Sequence, residues 1–599
     1  MAEYKAAKEA FVADNPGASI WSINAVSLFG LTAYALYASA ASSRRPSLVF
    51  EYLTTVFPLL VGVTLASTRP ILWNILFAIP VIYNYIVHAS SSTRRGAEPP
   101  RRPEKTSAGQ WLDESDSDEE PAVPANPRAI DTSPRIQLPS EIVTEATTTA
   151  LSPSASPLTS PIPPSPNLSV IDSPTDGPSK RAWKRRHSPT PSTHTHTAIS
   201  ILPTPETPTT ASMAGNARSY PSPQAARTAG RRLSPAQDRL PFLSVYRAHM
   251  MVMTIHCILA VDFPVFPRWQ GKCEDFGTSL MDVGVGSFVF SLGIVSTRSF
   301  TSGGSSSALN ILRLTWRSIR KSSPILLLGL IRVLMVKGTD YPEHVTEYGV
   351  HWNFFFTLGL LPVFGNLLWP IRQRFLRWSI MALLVSGVHQ LALSFTPLQS
   401  WTLSSARIGL VGMNKEGIVS LPGYLAIYLL GLATGEHILR TASPPDVKKA
   451  VTETPEQHAQ SQYRKRRTEL GLELFGYAVA WWCALGLCRA MGMEVSRRLA
   501  NLTYVLWTAS FNSTFLLGYL LVESMLVLRP DAPPCPALLE AINANGLIIF
   551  LVANLLTGLV NLSIKTMYAG NGISVAVLLA YSAGVCAFAW TIRKQRIKL

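Results

Sequence analysis

The chain has 599 residues, of which 47% are hydrophobic and only 15% are charged. Many apolar runs approach the roughly 20 residues that cross a bilayer as a helix, which indicates a polytopic membrane protein built as an all-α helix bundle. The net charge of +16 at pH 7 could indicate a nucleic-acid partner. The basic residues lie in loops beside the apolar runs, which fits the positive-inside rule and excludes nucleic acid.

The apolar runs divide the chain into three parts. Residues 1–89 hold a polar lead and three predicted spans, and residues 90–240 are rich in Pro, Ser and Thr without apolar periodicity. Such a composition cannot bury enough apolar area to fold, so we predict a long disordered insert. Residues 241–599 hold ten further spans. The thirteen predicted spans cover about 19–40, 48–67, 71–89, 241–261, 278–296, 324–337, 350–368, 378–395, 418–435, 470–488, 502–527, 538–562 and 571–592.

Charged loops predict the orientation of these spans. With thirteen spans, the basic loops alternate with the others and fall on one side, which we expect to be the cytosol. This places the insert and the C-terminus in the cytosol and the N-terminus on the opposite, lumenal side. The acidic loop at 339–349 shares the lumenal side, where the basic SRR of 496–498 is an exception.

The loop after the fourth span is the first candidate for chemistry. It reads AVDFPVFPRWQGK over 260–272, so Asp262 follows the apolar run and Lys272 comes ten residues later. Pro264 and Pro267 fix φ and remove amide donors, which predicts a bent loop. The bend can return Lys272 towards Asp262 at the lumenal rim of an apolar cavity, and such a pair suits proton transfer from an alcohol. The alternative is a span-end aspartate and an ordinary interfacial lysine.

Several charged groups lie within the predicted spans. They include Glu51 in the second span, Asp282 in the fifth, and Arg332 and Lys337 in or at the end of the sixth. Intramembrane charges are costly, and they either serve function or pair with one another. We therefore expect either substrate binding by Arg332 and Lys337 or structural pairing of Asp282 or Glu51 with Arg332. Asn554 and Asn561, two turns apart in the twelfth span, are interpreted as hydrogen-bonding between helices.

Further polar groups approach the seventh and ninth spans on the same predicted side. His344, Glu347 and His351 precede the seventh span, and Arg407, Asn414 and Lys415 precede the ninth. The second group could receive a phosphate or sugar headgroup, or merely snorkel at the interface. His351 and Glu347 are four residues apart, but no HExxH or paired-cysteine spacing occurs, so we predict no metal site.

The sequence also resembles the inositol acyltransferases of glycosylphosphatidylinositol (GPI) anchor assembly. The resemblance rests on KEAFVADNPGASIWSINAVSL near the start and on the long block that begins YRAHMMVMTIHCILAVDFPVFPRWQGK. It continues in four later blocks, at 320–362, 414–431, 496–507 and 545–566. These blocks keep their order and are spread over the membrane region.

The resemblance implies a multi-pass enzyme of the endoplasmic reticulum that acylates the inositol of glucosaminyl-phosphatidylinositol. Its donor would be a long-chain acyl-CoA, typically palmitoyl-CoA, used as a co-substrate, with no permanently bound cofactor and with membrane lipids as surrounding partners. The presumed catalytic aspartate and lysine of the family correspond to Asp262 and Lys272. Asp262 would act as general base, and Lys272 would orient it or stabilise the developing oxyanion.

A secondary transporter or lipid flippase is the rival class. Many spans, buried charges and a long cytosolic segment also suit a carrier, but carriers usually show internal repeats. We find none, and the insert follows the third span instead of dividing two equal halves. A non-catalytic scaffold would explain the insert but not the bent loop.

Overall fold

The computed structural model describes residues 2–13, 15–41, 46–95, 240–301, 308–337, 345–442, 455–527 and 535–595. These residues form helices and connecting turns, and no strand occurs among them. The predicted all-α helix bundle is therefore confirmed. Of the predicted insert, the structure describes residues 90–95, which continue a helix to Arg95, and Leu240. The rest of the insert lies outside the described residues, as does His344.

The helices are numbered here in chain order. They are α1 (Ala2–Val12), α2 (Ile20–Ala40), α3 (Leu48–Val63), α4 (Pro70–Arg95), α5 (Pro241–Ala260), α6 (Leu280–Thr301), α7 (Ala308–Lys337), α8 (Val345–Tyr348), α9 (Phe354–Arg374), α10 (Trp378–Phe395), α11 (Leu398–Leu403), α12 (Gly409–Met413), α13 (Lys415–Ala442), α14 (Pro455–Ala490), α15 (Leu502–Val522), α16 (Ala537–Ala544), α17 (Gly546–Ser563) and α18 (Asn571–Thr591).

Ten of the described helices are long and apolar enough to cross a membrane: α2, α5, α6, α9, α10, α13, α14, α15, α17 and α18. The chain is therefore a multi-pass membrane protein. The other three predicted spans fall on two shorter apolar helices, Leu48–Val63 and Pro70–Ile86, and on the second half of α7. The count of thirteen and the orientation of the spans stay predictions.

Small residues let the central helices approach closely. Gly431 and Gly435 form a GxxxG pattern on α13, and Gly293 faces it from α6. A Cβ atom added to Gly431 would lie 2.2 Å from the carbonyl oxygen of Phe290, so only glycine fits. Close backbone approach of this kind drives packing in lipid, where the hydrophobic effect gives no preference between helices. Helix α15, which packs beside helices α6 and α13, carries the fully buried Trp507.

The loop between α5 and α6 is bent, as its prolines predict. Helix α5 ends at Ala260, and the chain turns through Phe263 and Phe266 into a single helical turn at Arg268–Gln270. The N-terminal segment lies against this loop. Asn15 Nδ2 donates to the carbonyl oxygen of Lys272 at 3.1 Å, which ties the segment after α1 to the loop.

Candidate active site

A cavity of about 560 Å³ opens beside the bent loop. Its walls come from α5, α6, α7, α9, α15 and α17, and from α1 and α8 at one end. Most of the lining is apolar and aromatic, including Met250, Phe288, Phe511 and Phe550. Charged side chains lie at the end beside the loop. A long apolar space with a charged rim suits an amphipathic molecule.

The length of the cavity follows from helix α5, which lines it along most of its extent. Residues from Tyr246 to Val261 on this helix line the cavity, and Asp262 follows at the rim. At 1.5 Å per residue, the sixteen steps from Tyr246 to Asp262 correspond to about 24 Å. The hydrocarbon core of a bilayer is about 30 Å thick. The cavity therefore has the length of a lipid chain.

Asp262 lies at this rim and is 8% exposed. Its Oδ2 atom accepts a hydrogen bond from Asn561 Nδ2 at 2.8 Å, and Lys8 Nζ lies 3.3 Å from its Oδ1 atom. Lys8 also donates to Asn561 Oδ1 at 2.9 Å. The carboxylate is thus held by side chains from α1 and α17, two helices at opposite ends of the chain.

Arg268 holds the backbone of the loop in its bent shape. Its Nη2 atom donates to the carbonyl oxygens of Val261 and Phe266, at 2.8 and 3.0 Å. Burial lowers the pKa of Arg268, and the charge of Asp262 acts in the opposite direction. The guanidinium also lies over the ring of Phe11, 4.3 Å from its centroid, which joins α1 to the loop.

Lys272 lines the same cavity but does not form an ion pair with Asp262. Its Nζ atom lies 2.6 and 2.9 Å from the two carboxylate oxygens of Glu347, in α8. The direct Asp262–Lys272 contact suggested by the loop is therefore replaced by two separate pairs at one rim. The reason is that each charge meets an oppositely charged side chain from another part of the chain.

Asp282 and Glu51 do not pair with Arg332, so the alternative of structural pairing with this arginine was wrong. Asp282 Oδ1 lies 2.7 Å from Arg497 Nε in a fully buried ion pair. Glu51 instead accepts the backbone N–H groups at the start of α16, which have no partner within their own helix. Arg332 lines the cavity and is exposed.

The SRR exception on the predicted lumenal side has a structural cause. Arg498 contacts Asp275 at 2.6 Å and Glu416 at 3.0 Å, and Arg497 contacts Asp282. Burial lowers the pKa of Arg497, but the charges of Asp282 and Glu347 outweigh it and raise that pKa well above its ordinary value. These arginines neutralise the buried carboxylates of Asp282 and Glu416, so they do not act as free charges facing lipid headgroups.

The candidates before α9 and α13 have different positions. Glu347 lines the cavity, whereas His351, Arg407, Asn414 and Lys415 do not. Arg407 pairs with Glu416 at 2.6 Å. Asn414 accepts the backbone N–H of His351 at 2.8 Å, and the ammonium of Lys415 donates to the carbonyl oxygens of Trp401 and Ala406. The side chain of Lys337 lies outside the described part of the chain.

Sequence reasoning missed Lys8 and the site role of Asn561. Asn561 was assigned to helix-to-helix bonding, but its amide reaches from α17 to the loop after α5. A polar side chain in an apolar span was the available signal, since such groups need a partner in the membrane. Lys8 gave no local signal, because it stands in a short polar segment.

Together these features define a class: a polytopic α-helical membrane protein with a long, mostly apolar cavity and a charged rim. Comparison with known proteins identifies the family. A family model described as GWT1 matches residues 4–129 and 190–592. The chain therefore belongs to the GWT1 family, and the resemblance to GPI inositol acyltransferases is confirmed.

Three relatives, each named GPI-anchored wall transfer protein 1, align with this chain over nearly the full length of both proteins. Those of Cryptococcus neoformans serotype D and serotype A are 47% and 48% identical over 626 aligned residues, which cover 100% of both chains. The Aspergillus oryzae protein is 34% identical over 623 residues, covering 100% of this chain and 99% of the relative.

Proposed function

We propose that this chain acts in GPI-anchor biosynthesis as an O-acyltransferase. It transfers a long-chain acyl group, typically palmitoyl, from acyl-CoA to an inositol hydroxyl of glucosaminyl-phosphatidylinositol. Family membership supports the role in GPI-anchor biosynthesis. The observation that carries the reaction type is that Asp262 and Lys272 line the same end of one long apolar cavity.

The acyl chain lies along α5 with its thioester at the rim. Most of the cavity wall is hydrocarbon, and each buried CH₂ group stabilises the complex by about 0.8 kcal/mol. The polar parts of both substrates then remain beside Asp262, Lys272 and Arg332. Arg332 lines the cavity and is the phosphate-binding candidate, and Lys337 follows five residues later. Arg407 and Lys415 are not assigned this role, because Glu416 and backbone carbonyl oxygens engage them outside the cavity.

Asp262 acts as the general base. The inositol hydroxyl gives its proton to the carboxylate while its oxygen attacks the thioester carbonyl carbon. The C–O bond forms, the C–S bond of the tetrahedral intermediate then breaks, and the leaving thiolate takes up the proton as free CoA. General base catalysis of this kind contributes roughly 10²–10⁴ in rate.

Lys272 provides positive charge for the developing oxyanion. Its ammonium carries three donors, and the two contacts to Glu347 leave one for a substrate oxygen. A cation placed before the reaction begins stabilises charge that appears only in the transition state. Because Lys272 contacts Glu347 and not Asp262, its ammonium does not occupy the carboxylate that receives the proton.

The reaction is proposed for the lumenal face of the endoplasmic-reticulum membrane. The charge pattern of the loops predicts this side for the Asp262–Lys272 loop. A cavity of about 24 Å along α5 allows the donor chain to enter the bilayer region while its thioester stays at the rim. The polar CoA group then lies beside the rim, outside the apolar part of the cavity.

Turnover by purified protein tests the proposal. The protein in detergent is given radiolabelled palmitoyl-CoA and glucosaminyl-phosphatidylinositol, and lipid products are separated. Labelled acyl-inositol lipid from wild type, and none from the folded Asp262→Asn protein, is the expected result. Retained turnover by Asp262→Asn removes Asp262 from the mechanism. No transfer by folded wild type overturns the acyltransferase and returns the transporter or flippase interpretation.

A further inference from the structure

The side chains of Lys8, Asp262 and Asn561 form a closed triangle at the cavity rim. Asn561 donates to Asp262 at 2.8 Å, Lys8 donates to Asn561 at 2.9 Å, and Lys8 lies 3.3 Å from Asp262. All three residues come from different elements, α1, the loop after α5, and the end of α17. None of the three contacts in this triangle involves Lys272 or Glu347.

The contacts of Asn561 fix which way its amide points. Its Oδ1 atom accepts from Lys8 Nζ and from Thr566 Oγ1, the latter at 3.2 Å. With the carbonyl oxygen so engaged, the NH₂ group faces Asp262. The reverse orientation would set the amide oxygen against the carboxylate and the NH₂ group against an ammonium. The network therefore defines a single orientation for the donor to Asp262.

The amide and the ammonium have different effects on the carboxylate. The 3.3 Å separation from Lys8 is longer than a charge-assisted hydrogen bond, whereas the Asn561 contact has normal hydrogen-bond length. A carboxylate has about four acceptor positions. One bond to Oδ2 orients the group and leaves positions on Oδ1 for a substrate proton.

Helix α1 is held over the loop by contacts beyond Lys8. The ring of Phe11 lies under the guanidinium of Arg268, and Asn15 donates to the carbonyl oxygen of Lys272. Both anchors are part of the bent loop that carries the proposed base. The contacts with the loop therefore fix the position of Lys8, and Lys8 in turn donates a hydrogen bond to Oδ1 of Asn561.

We propose that Asn561 and Lys8 are positioning residues for the Asp262 carboxylate. Asn561 fixes the rotation of the carboxylate, and Lys8 fixes the orientation of Asn561 and balances the charge of Asp262. This inference rests on the proposed acyltransferase function. It adds two residues that act through Asp262 without forming or breaking a bond themselves.

Steady-state kinetics of matched variants tests the inference. Asn561→Leu is compared with Asn366→Leu, since Asn366 is also an asparagine in a spanning helix but donates only to the carbonyl of Pro362 in its own helix. Asn561→Asp is the second variant, which keeps the shape and sets a carboxylate against Asp262. We expect kcat to fall roughly tenfold to a hundredfold for both Asn561 variants, with KM for palmitoyl-CoA unchanged.

Lys8 is tested by conservative rescue. Lys8→Gln is expected to lower kcat, whereas Lys8→Arg keeps a donor and a charge and retains most of it. Lys465→Gln, at an exposed position on α14, is the control.

The outcomes separate the inference from the proposed function. A normal wild-type rate with equal kcat for Asn561→Leu and Asn366→Leu overturns the inference alone. So does a Lys8→Arg protein that loses as much kcat as Lys8→Gln, which would show that the charge and donor of Lys8 are not what matters. No acyl transfer by folded wild-type protein overturns the proposed function and the inference with it.

Discussion

Lys272 Nζ lies 2.6 Å from Glu347 Oε1, so the lysine of the bent loop is anchored by a carboxylate that stands 75 residues later in the chain. The two side chains are 34% and 19% exposed and face the cavity rim. A pair in such a position contributes little to folding, about 0–1 kcal/mol. Its effect should therefore be on activity.

Glu347→Gln is expected to lower kcat roughly tenfold, because Lys272 keeps its charge but loses the contact that holds it at the rim. Lys272→Met removes the charge itself and should lower kcat by roughly 10²–10³, as for other oxyanion donors. Acyl transfer by each purified variant checks both values.

Glu469→Gln, at an exposed position on α14, is the control for loss of one carboxylate. The midpoint of thermal unfolding should be the same for Glu347→Gln, Glu469→Gln and wild type. An unchanged or increased kcat for Glu347→Gln would show that Glu347 does not place Lys272 for the reaction.

The buried ion pair of Arg497 and Asp282, unlike the Lys272–Glu347 pair, should contribute mainly to the stability of the fold. Both side chains are almost fully buried and 2.7 Å apart, and Asp282 also accepts from Ser279 and from the backbone of Cys273. Arg497→Met leaves Asp282 as an unpaired buried charge, which typically costs about 3–5 kcal/mol. Loss of monodisperse protein on heating, measured by size-exclusion chromatography, should occur at a clearly lower temperature than in wild type.

The matched control is Arg489→Met, which removes an exposed arginine at the end of α14. The double variant Arg497→Met/Asp282→Asn should recover part of the loss, since neither charge remains in the interior. If Arg497→Met is as stable as Arg489→Met, the pair is not a determinant of the fold.

The helix positions and the bend of the loop were predictable because their causes are local. Each spanning helix is an apolar run of sufficient length, and Pro264 and Pro267 break the chain after Asp262 wherever the rest of it lies. The apolar runs at 48–67 and 71–89 also form helices, but their apolar parts, Leu48–Val63 and Pro70–Ile86, are shorter than the ten spanning helices.

Partners of the charged residues were not predictable, because they are chosen by packing between distant segments. Asn561 and Asp262 are separated by 299 positions, and no local pattern relates them. Arg497 and Arg498 look like ordinary loop charges in the sequence, since charge counting does not reveal burial. The sequence therefore indicated the rim residues Asp262 and Lys272, but paired them with each other instead of with Lys8, Asn561 and Glu347.

Cys273 provides a chemical test of the structure beside Lys272. Burial and the nearby charge of Asp282 raise the pKa of its thiol from 9.0 to about 12. The thiolate is the reactive form, so at pH 8 this thiol should stay protonated and resist maleimide in folded protein. Unfolding in detergent should make it reactive, because both causes of the raised pKa are lost. Mass spectrometry of labelled peptides measures the modification.

The same thiol in protein unfolded with detergent is the reference, and it should react at pH 8. With iodoacetamide as the reagent, raising the pH from 8 to 10 should increase labelling of Cys273 in the folded protein, since a group with a raised pKa ionises only at higher pH. Equal labelling of Cys273 in folded and unfolded protein at pH 8 would contradict the burial of the segment that follows Lys272.

Gly284 offers a way to change the length of the cavity. It lines the cavity from α6, and a Cβ atom added there would lie 3.8 Å from Thr254 Oγ1, which is ordinary contact. Thr254 stands eight residues before Asp262, or about 12 Å along α5. Gly284→Leu should therefore fill the cavity about halfway down without displacing backbone. If the acyl chain lies in this cavity, the variant should prefer shorter acyl-CoA donors than wild type does.

The size of that change follows from the methylenes that can no longer be buried. Each methylene group that is no longer buried loses about 0.8 kcal/mol of binding free energy. If two methylene groups of palmitoyl-CoA are affected, its kcat/KM relative to that of a decanoyl donor falls roughly tenfold. Gly387→Leu is the control, because Gly387 has open space around its Cβ position but lies outside the cavity. An unchanged chain-length preference in folded, active Gly284→Leu would place the acyl chain elsewhere, even if Asp262 remains the base.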